Sequence, residues 1–115
     1  MSAIVRRALL TVPLGDGTVV ERLEVAEVTL APGLASGRHR HPCPVVGCVM
    51  SGAVRVQVDG QDARTVEAGN AFYEPAGERI AAFDNVSDTD PAVFTAFYLL
   101  PPGEERVIVM EDDGR

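Results

Sequence analysis

The chain has 115 residues, 46% of them hydrophobic, and a formal net charge of −7 at pH 7. A chain of this length and composition is expected to fold as a single domain, residues 1–115, around one core. The acidic balance argues against a nucleic-acid partner, whose phosphates require a basic surface, and against an anionic membrane surface. No apolar run is long enough to cross a membrane as a helix.

The N-terminal segment, residues 4–14, contains Arg6 and Arg7 before a short apolar run. A twin-arginine export signal has a longer apolar run and a small-residue cleavage site, so we interpret this segment as a first β-strand. Without an export signal, Cys43 and Cys48 are expected to be free thiols in a reducing compartment. The sequence therefore predicts a cytoplasmic protein.

The rest of the chain alternates short apolar segments with Gly, Pro or Asp. Strands are predicted at residues 23–30, 38–41, 45–50, 53–58, 63–66, 70–74, 79–84 and 92–100, with a further edge strand at 107–110. Asp59-Gly60 predicts a hairpin, because such a turn needs a residue with positive φ. No segment has a sustained helical period, so the predicted fold class is all-β, a sandwich or a barrel.

Both histidines of the chain, His39 and His41, lie two residues apart. In an extended strand, residues at this spacing point to the same face and are about 7 Å apart. Two imidazoles on one face are a common beginning of a transition-metal site. The question is then which group completes the site.

Two segments resemble the two motifs of the cupin superfamily. They read Gly33-x5-His39-x-His41-x3-Val45-x6-Gly52 and Gly69-x5-Pro75-x-Gly77-x2-Ile80-x3-Asp84. The flanking strands are similar to the rest of a small single-domain cupin. The resemblance implies a jelly-roll barrel, also called a double-stranded β-helix, with a metal or ligand site in one mouth. It also implies a homodimer, often formed when an N-terminal strand joins the partner's sheet.

The chain departs from the cupin pattern at two positions. A complete cupin site takes two histidines and a carboxylate from the first motif and one more histidine from the second. Here Val45 stands at the carboxylate position and Ile80 at the last histidine position. His39 and His41 alone leave a metal short of the three protein ligands that catalytic zinc normally keeps.

Two residues are candidates for the third ligand. An inward-facing Glu74 would give a two-histidine, one-carboxylate set, which suits iron or manganese. Cys43 follows His41 by two residues, and its thiolate would suit zinc. The predicted cofactor is one divalent transition metal (Zn, Fe, Ni or Mn) held by His39, His41 and Glu74. In the alternative, the protein has no metal and the histidines are polar groups of a pocket.

The remaining predicted site residues are mostly apolar. Those assigned to substrate binding are Val45, Tyr73, Ile80 and Phe94. Strand parity leaves several choices open: Phe72 or Tyr73 as an aromatic wall, and either Phe94, Ala96 and Tyr98 or Phe97 and Leu99 as the inward face of the last long strand. Apolar walls with a few polar groups are typical of a small-molecule pocket. The alternative is that these side chains simply fill the core.

These features support three hypotheses about function. The first is a homodimeric cupin that binds a small, partly apolar organic molecule; as an enzyme, the resemblance implies metal-assisted oxygenation by a dioxygenase, isomerisation or decarboxylation. The second is a non-catalytic binding or sensing cupin that has lost its metal, which Val45 and Ile80 favour. The third is a scaffold whose barrel only dimerises. The sequence contains no Ser-His-Asp arrangement and no phosphate-binding glycine loop.

Overall fold

The computed structural model describes residues 3–111. Nine strands follow one another in this range: β1 (Arg22–Leu30), β2 (His39–Arg40), β3 (Val45–Ser51), β4 (Ala53–Val58), β5 (Arg64–Glu67), β6 (Ala71–Glu74), β7 (Ile80–Asn85), β8 (Ala92–Leu100) and β9 (Val109–Met110). The all-β prediction is confirmed. Within residues 3–111, no helix is long and apolar enough to span a membrane.

The strands form two antiparallel sheets, with strand orders β1-β8-β3-β6 and β5-β4-β7-β2-β9. Neighbours within a sheet are mostly distant in sequence, as in a jelly roll. The core lies between the sheets. Phe72 on β6, Phe83 on β7 and Phe94 on β8 meet there, with ring centroids 5.0–5.6 Å apart.

The burial pattern of β8 shows which of its side chains face the core. Ala92, Phe94, Ala96, Tyr98 and Leu100 are buried, and the residues between them are only partly so. The inward face of this strand therefore carries Phe94, Ala96 and Tyr98, which was one of the two alternatives. Burial on β6 likewise turns Phe72 and Glu74 inward.

Two glycines of β3 and its turn fit their positions closely. Gly52 joins β3 to β4 with a φ of 76°, a conformation that L side chains rarely adopt. Gly47 faces inward between Phe72 and Ala96 on the neighbouring strands. The missing side chain at Gly47 is what leaves room for the Phe72 ring.

The predicted strand at residues 4–14 is wrong, since this segment has no strand structure. A strand requires a neighbour that takes up its backbone hydrogen bonds, and all nine strands of the sheets pair with one another. The segment instead runs outside the barrel, where Arg7 Nη2 donates a hydrogen bond of 3.0 Å to the Gly69 carbonyl.

The C-terminal strand β9 lies along the short strand β2, with His39 paired to Met110 and Arg40 to Val109. Ion pairs hold the chain in place just after β9, where the Glu111 carboxylate contacts Arg79 at 2.6 Å and Arg40 at 3.5 Å. This pairing brings residues 107–110 to the mouth of the barrel, beside both histidines.

Candidate metal centre

The two histidines lie on β2 and directly after it, between β7 and β9. Their side chains are 5% and 4% exposed. The ring centroids are 5.0 Å apart and the ring planes are nearly perpendicular, at 80°. The rings are thus fully inside the barrel mouth and close enough to share one ion.

Backbone carbonyls orient both imidazoles. His39 Nδ1 lies 3.1 Å from the Gly37 carbonyl oxygen, and His41 Nδ1 lies 2.6 Å from that of Val107. A carbonyl oxygen only accepts, so each Nδ1–H donates and each Nε2 carries the lone pair when the ring is neutral. Fixing the tautomer in this way is usual for metal-binding histidines.

The third group is Glu74, at the end of β6. It pairs in register with Val45 on β3, so the carboxylate stands one strand away from the position where the complete cupin motif would carry it. Glu74 Oε1 lies 3.0 Å from His41 Nε2, and Oε2 lies 3.7 Å from His39 Nε2. The second distance exceeds hydrogen-bond length. The potential ligand atoms of the three residues all lie within 4.8 Å of one another.

The pKa values of His39 and Glu74 are shifted in opposite directions by their contact with each other. Burial alone would lower the pKa of His39, but the Glu74 carboxylate, the Gly37 carbonyl and the charge of Glu111 together raise it. Burial would raise the pKa of Glu74, yet the two imidazoles lower it. The triad therefore favours an ionised Glu74 carboxylate beside a His39 imidazole that carries a proton or a cation on Nε2.

The donor set fits a divalent transition metal. Glu74 Oε2 is buried and has no hydrogen-bond partner within residues 3–111, which is costly for a carboxylate oxygen unless another group reaches it. Two Nε2 lone pairs and one carboxylate form the two-histidine, one-carboxylate set found with Fe(II) and related ions.

A cavity of about 130 Å³ adjoins the triad. Its walls are mainly hydrocarbon and come from both sheets and from the C-terminal segment: Val28, Leu30, Val45, Phe83, Phe94, Ala96, Ile108 and Met110. The polar groups are the triad, Ser36 and Tyr98. Burial, together with the charge of Glu74, raises the pKa of Tyr98, so its hydroxyl keeps its proton and is available as a donor.

Some of the predicted site residues lie at the candidate site in the structure, and others do not. His39, His41 and Glu74 come together, and Val45 and Phe94 line the adjoining cavity. Ile80 is fully buried and pairs with His39 across the sheet, but it does not form part of the cavity wall.

Two expectations need correction. Tyr73 does not wall the cavity: it lies between the inward-facing Phe72 and Glu74, so it points to the opposite face of β6, towards Leu10 and Pro13. Cys43 is fully buried, but it belongs to the hydrophobic core and not to the ligand cluster.

Several contributors were not predicted from the sequence. The Val107 carbonyl reaches His41 across 66 residues of chain, and a backbone carbonyl leaves no signal in a sequence. Ile108 and Met110 enter the cavity wall because β9 pairs with β2. The expectation of an edge strand near residues 107–110 was the only available hint.

The comparisons with known proteins agree with this geometry. The family model described as "Cupin domain" matches residues 26–100. This chain is a cupin. The match includes seven of the nine strands in full, β2 to β8, and every member of the His39, His41 and Glu74 triad. No curated protein matches the cupin at a significant level.

Solved cupin-fold structures extend the comparison. DMSP lyase DddQ from Ruegeria pomeroyi DSS-3 is 18% identical, with a TM-score of 0.64 over 76% of this chain and 42% of that one, and shows a shared fold only. An oxalate oxidase in complex with the substrate analogue glycolate is 29% identical, with a TM-score of 0.61 over 76% and 45%. Bacillus subtilis oxalate decarboxylase, with Mn(II) centres, is 28% identical, with a TM-score of 0.63 over 76% and 23%. The cupin spans less than half the length of each of these chains.

The raised pKa of His39 predicts how metal affinity depends on pH. In the metal-free cupin a proton on His39 competes with the metal, so affinity should rise as the pH passes upward through this pKa, by up to about tenfold per pH unit below it. The stability that the proton gives the metal-free cupin is fully present below pH 6.5 and is lost over the same rise. Calorimetric titration at pH 6 and pH 8 in a non-coordinating buffer measures the first effect. Equal affinities at the two values would contradict it.

Proposed function

We propose that this cupin binds one divalent transition metal through His39, His41 and Glu74 and acts on a small organic molecule held in the adjoining cavity. The observation that carries the proposal is the buried triad, in which two Nε2 lone pairs face a carboxylate with an unpartnered oxygen. Its donor set occurs with Fe(II) and with catalytic Zn(II), so Fe(II), Mn(II), Zn(II) and Ni(II) all remain candidate ions. The reaction class that this supports is metal-assisted, of the dioxygenase or isomerase kind.

The contacts of the site indicate what each group would contribute to the reaction. The metal, when bound, supplies Lewis acidity to an oxygen of the organic molecule. The Gly37 and Val107 carbonyls keep both imidazoles in the tautomer that exposes Nε2. Val45 and Phe94 line the cavity with hydrocarbon and make its walls less polar. Less polar surroundings strengthen the electrostatic contacts made inside.

The ligand is a small organic molecule because the cavity is small and largely apolar. Its volume of about 130 Å³ is below the range of about 300–1,000 Å³ that is usual for drug-sized ligands. A related cupin, the oxalate oxidase, has been solved with the small acid glycolate. A ligand of only a few non-hydrogen atoms is therefore the best match.

Metal titration of the full chain tests the proposal. Chelator-treated protein is titrated with Mn(II), Zn(II), Ni(II) and, without oxygen, Fe(II), and bound metal is measured after desalting. We expect about one ion per chain, with a rise in thermal stability, because only the folded state presents all three ligands. Binding below about a tenth of an ion per chain for all four metals would overturn the proposal.

A second function has one specific observation in its favour. Val45 and Ile80 place hydrocarbon where a complete cupin site has two of its ligands, and both are buried. A metal-free ligand-binding cupin would keep His39 and His41 as polar contacts for its ligand. In that case an organic acid would stabilise the chelator-treated protein and added metal would not.

We also propose that the cupin is a homodimer. Its four-stranded sheet has an apolar outer face, where Val25, Phe97, Val46 and Tyr73 lie side by side on four adjacent strands. Val25 is 54% exposed, and an exposed apolar sheet surface commonly marks an interface. Light scattering of the full chain measures the mass, and a monomer at micromolar concentration would contradict this proposal.

A further inference from the structure

The charge inventory of the cavity limits what it can bind. The chain contains no lysine. None of the arginines in residues 3–111 lines the cavity, and its only charged or titratable wall groups are the triad and Tyr98. Arg40 and Arg79, which flank His39 and Ile80 in the chain, are about half exposed and are paired with Glu111 and Asp59.

The net charge of the metal-loaded site depends on the cation, Glu74 and the ligand. A divalent cation and the Glu74 carboxylate together leave one positive charge, and one anionic group on the ligand cancels it. A dianionic ligand would leave a net negative charge in an apolar cavity that has no cationic side chain to offset it. Burying an uncompensated charge is strongly unfavourable, so the cavity selects for a single negative charge.

The register of the sheet gives the cavity a polar end and an apolar end. Tyr98, Val45 and Glu74 lie in one row across β8, β3 and β6, beside the histidines. Phe94 and Val28 lie in another row, four residues further along β8. Four residues of strand span about 13 Å. A ligand with a charged head and a hydrocarbon body matches this gradient.

Tyr98 is the polar group that remains for such a ligand. Its ring centroid lies 5.9 Å from that of His41, and it lines the cavity together with the triad. Its hydroxyl makes no hydrogen bond with any residue that the structure describes, whereas the Ser36 hydroxyl is already bonded to the Phe83 carbonyl at 2.6 Å. The hydroxyl is not among the fully buried unpartnered side-chain atoms of residues 3–111, so it is accessible from the cavity that Tyr98 lines and can donate to the acid group of a ligand.

We infer that the ligand is a short monocarboxylic acid, such as a 2-oxo acid with a small aliphatic tail, whose acid group receives a hydrogen bond from Tyr98 at the metal end and whose tail points along β8 towards Phe94. This inference rests on the proposed function. It adds that the ligand carries a single negative charge, that its acid group lies at the metal end of the cavity, and that Tyr98, which is outside the triad, contacts it.

Binding calorimetry on the Mn(II)-loaded full chain tests the inference. The probes are 3-methyl-2-oxobutanoate, the dianion malonate, and the neutral ketone 3-methyl-2-butanone. We expect the monoanion to bind at least about tenfold more tightly than either of the others, because only its charge balances the site. Malonate binding as tightly as the oxo acid would overturn the inference.

The two tyrosines of the chain provide a matched pair of variants. Tyr98→Phe removes the hydroxyl inside the cavity, and Tyr73→Phe makes the same change on the outer face. We expect Tyr98→Phe to weaken 3-methyl-2-oxobutanoate binding by at least about fivefold, with Mn(II) affinity unchanged within twofold, and Tyr73→Phe to change neither. Equal effects of the two variants on oxo-acid binding would overturn the role of Tyr98.

This experiment distinguishes failure of the metal centre from failure of the ligand inference. If Mn(II) does not bind, the proposed function and this inference both fall. If Mn(II) binds at one ion per chain but the oxo acid shows no preference over malonate, only the inference falls, and the metal centre stands.

Discussion

Replacing Glu74 with glutamine is expected to lower the Mn(II) affinity of the cupin by at least about 100-fold. Loss of a partner that only supports a metal ligand already costs about 10–100-fold in affinity, and glutamine removes a ligand charge altogether. The variant keeps the size and shape of the side chain. The effect is measured by calorimetric titration or by competition with a chelator of known affinity.

The fold of this variant should survive. In the metal-free protein the NH2 group of glutamine can donate a hydrogen bond to an imidazole Nε2. That imidazole can then remain neutral and still be hydrogen-bonded. We therefore expect the unfolding free energy of Glu74→Gln at pH 8, without metal, to lie within about 1 kcal/mol of the parent value. Lost metal affinity in a stable protein separates ligand removal from misfolding.

Glu78→Gln is the matched control. Glu78 is exposed, lies four residues further along the chain, and is no member of the buried cluster. Neutralising it changes the net charge by the same amount as Glu74→Gln. If both variants bind Mn(II) equally well, the Glu74 carboxylate is not a ligand.

Replacing Gly47 with alanine is expected to destabilise the fold by about 3 kcal/mol or more, beyond the usual range for one added methyl group in a packed core. The new Cβ would overlap three carbons of the Phe72 ring. That ring has no exposed surface and is packed against Phe83 and Phe94, so it has no free space to move into. Chemical denaturation of the metal-free protein measures the change.

A rescue experiment identifies the cause. Phe72→Leu shortens the side chain that meets the new methyl group, so the double variant should be more stable than the sum of the single effects by about 1 kcal/mol or more. Gly37→Ala is the control, because a Cβ there meets only Met110 Cε at an ordinary 3.6 Å. Additive effects of Gly47→Ala and Phe72→Leu would contradict the steric explanation.

Local signals in the sequence were sufficient for most of the strands. Alternation of valines predicted β4, and Asp59-Gly60 predicted the turn that follows it, because parity and turn conformation depend on adjacent residues. Residues 4–14 have the same local character and form no strand. Strand formation depends on a partner with free backbone groups, and the sequence of the segment holds no information about that partner.

The candidate site was predictable only in part, for the same reason. The spacing of His39 and His41 is local, so their common face could be anticipated. The meeting of Glu74 with His41 depends on the register of β6 against β3, which is a long-range pairing. On β6, two adjacent aromatic residues made the parity ambiguous, and Tyr73 was assigned to the wrong face. The Val107 carbonyl could not be found at all, because every residue has one.

A crystal structure of the full chain grown with Mn(II), with anomalous scattering data, tests the metal centre most directly. The account predicts one anomalous peak per chain at the mouth of the barrel, at ordinary ligand distances of about 2.0–2.3 Å from His39 Nε2, His41 Nε2 and a Glu74 oxygen. A cavity without a peak at saturating Mn(II), or a peak bound by other residues, would contradict it.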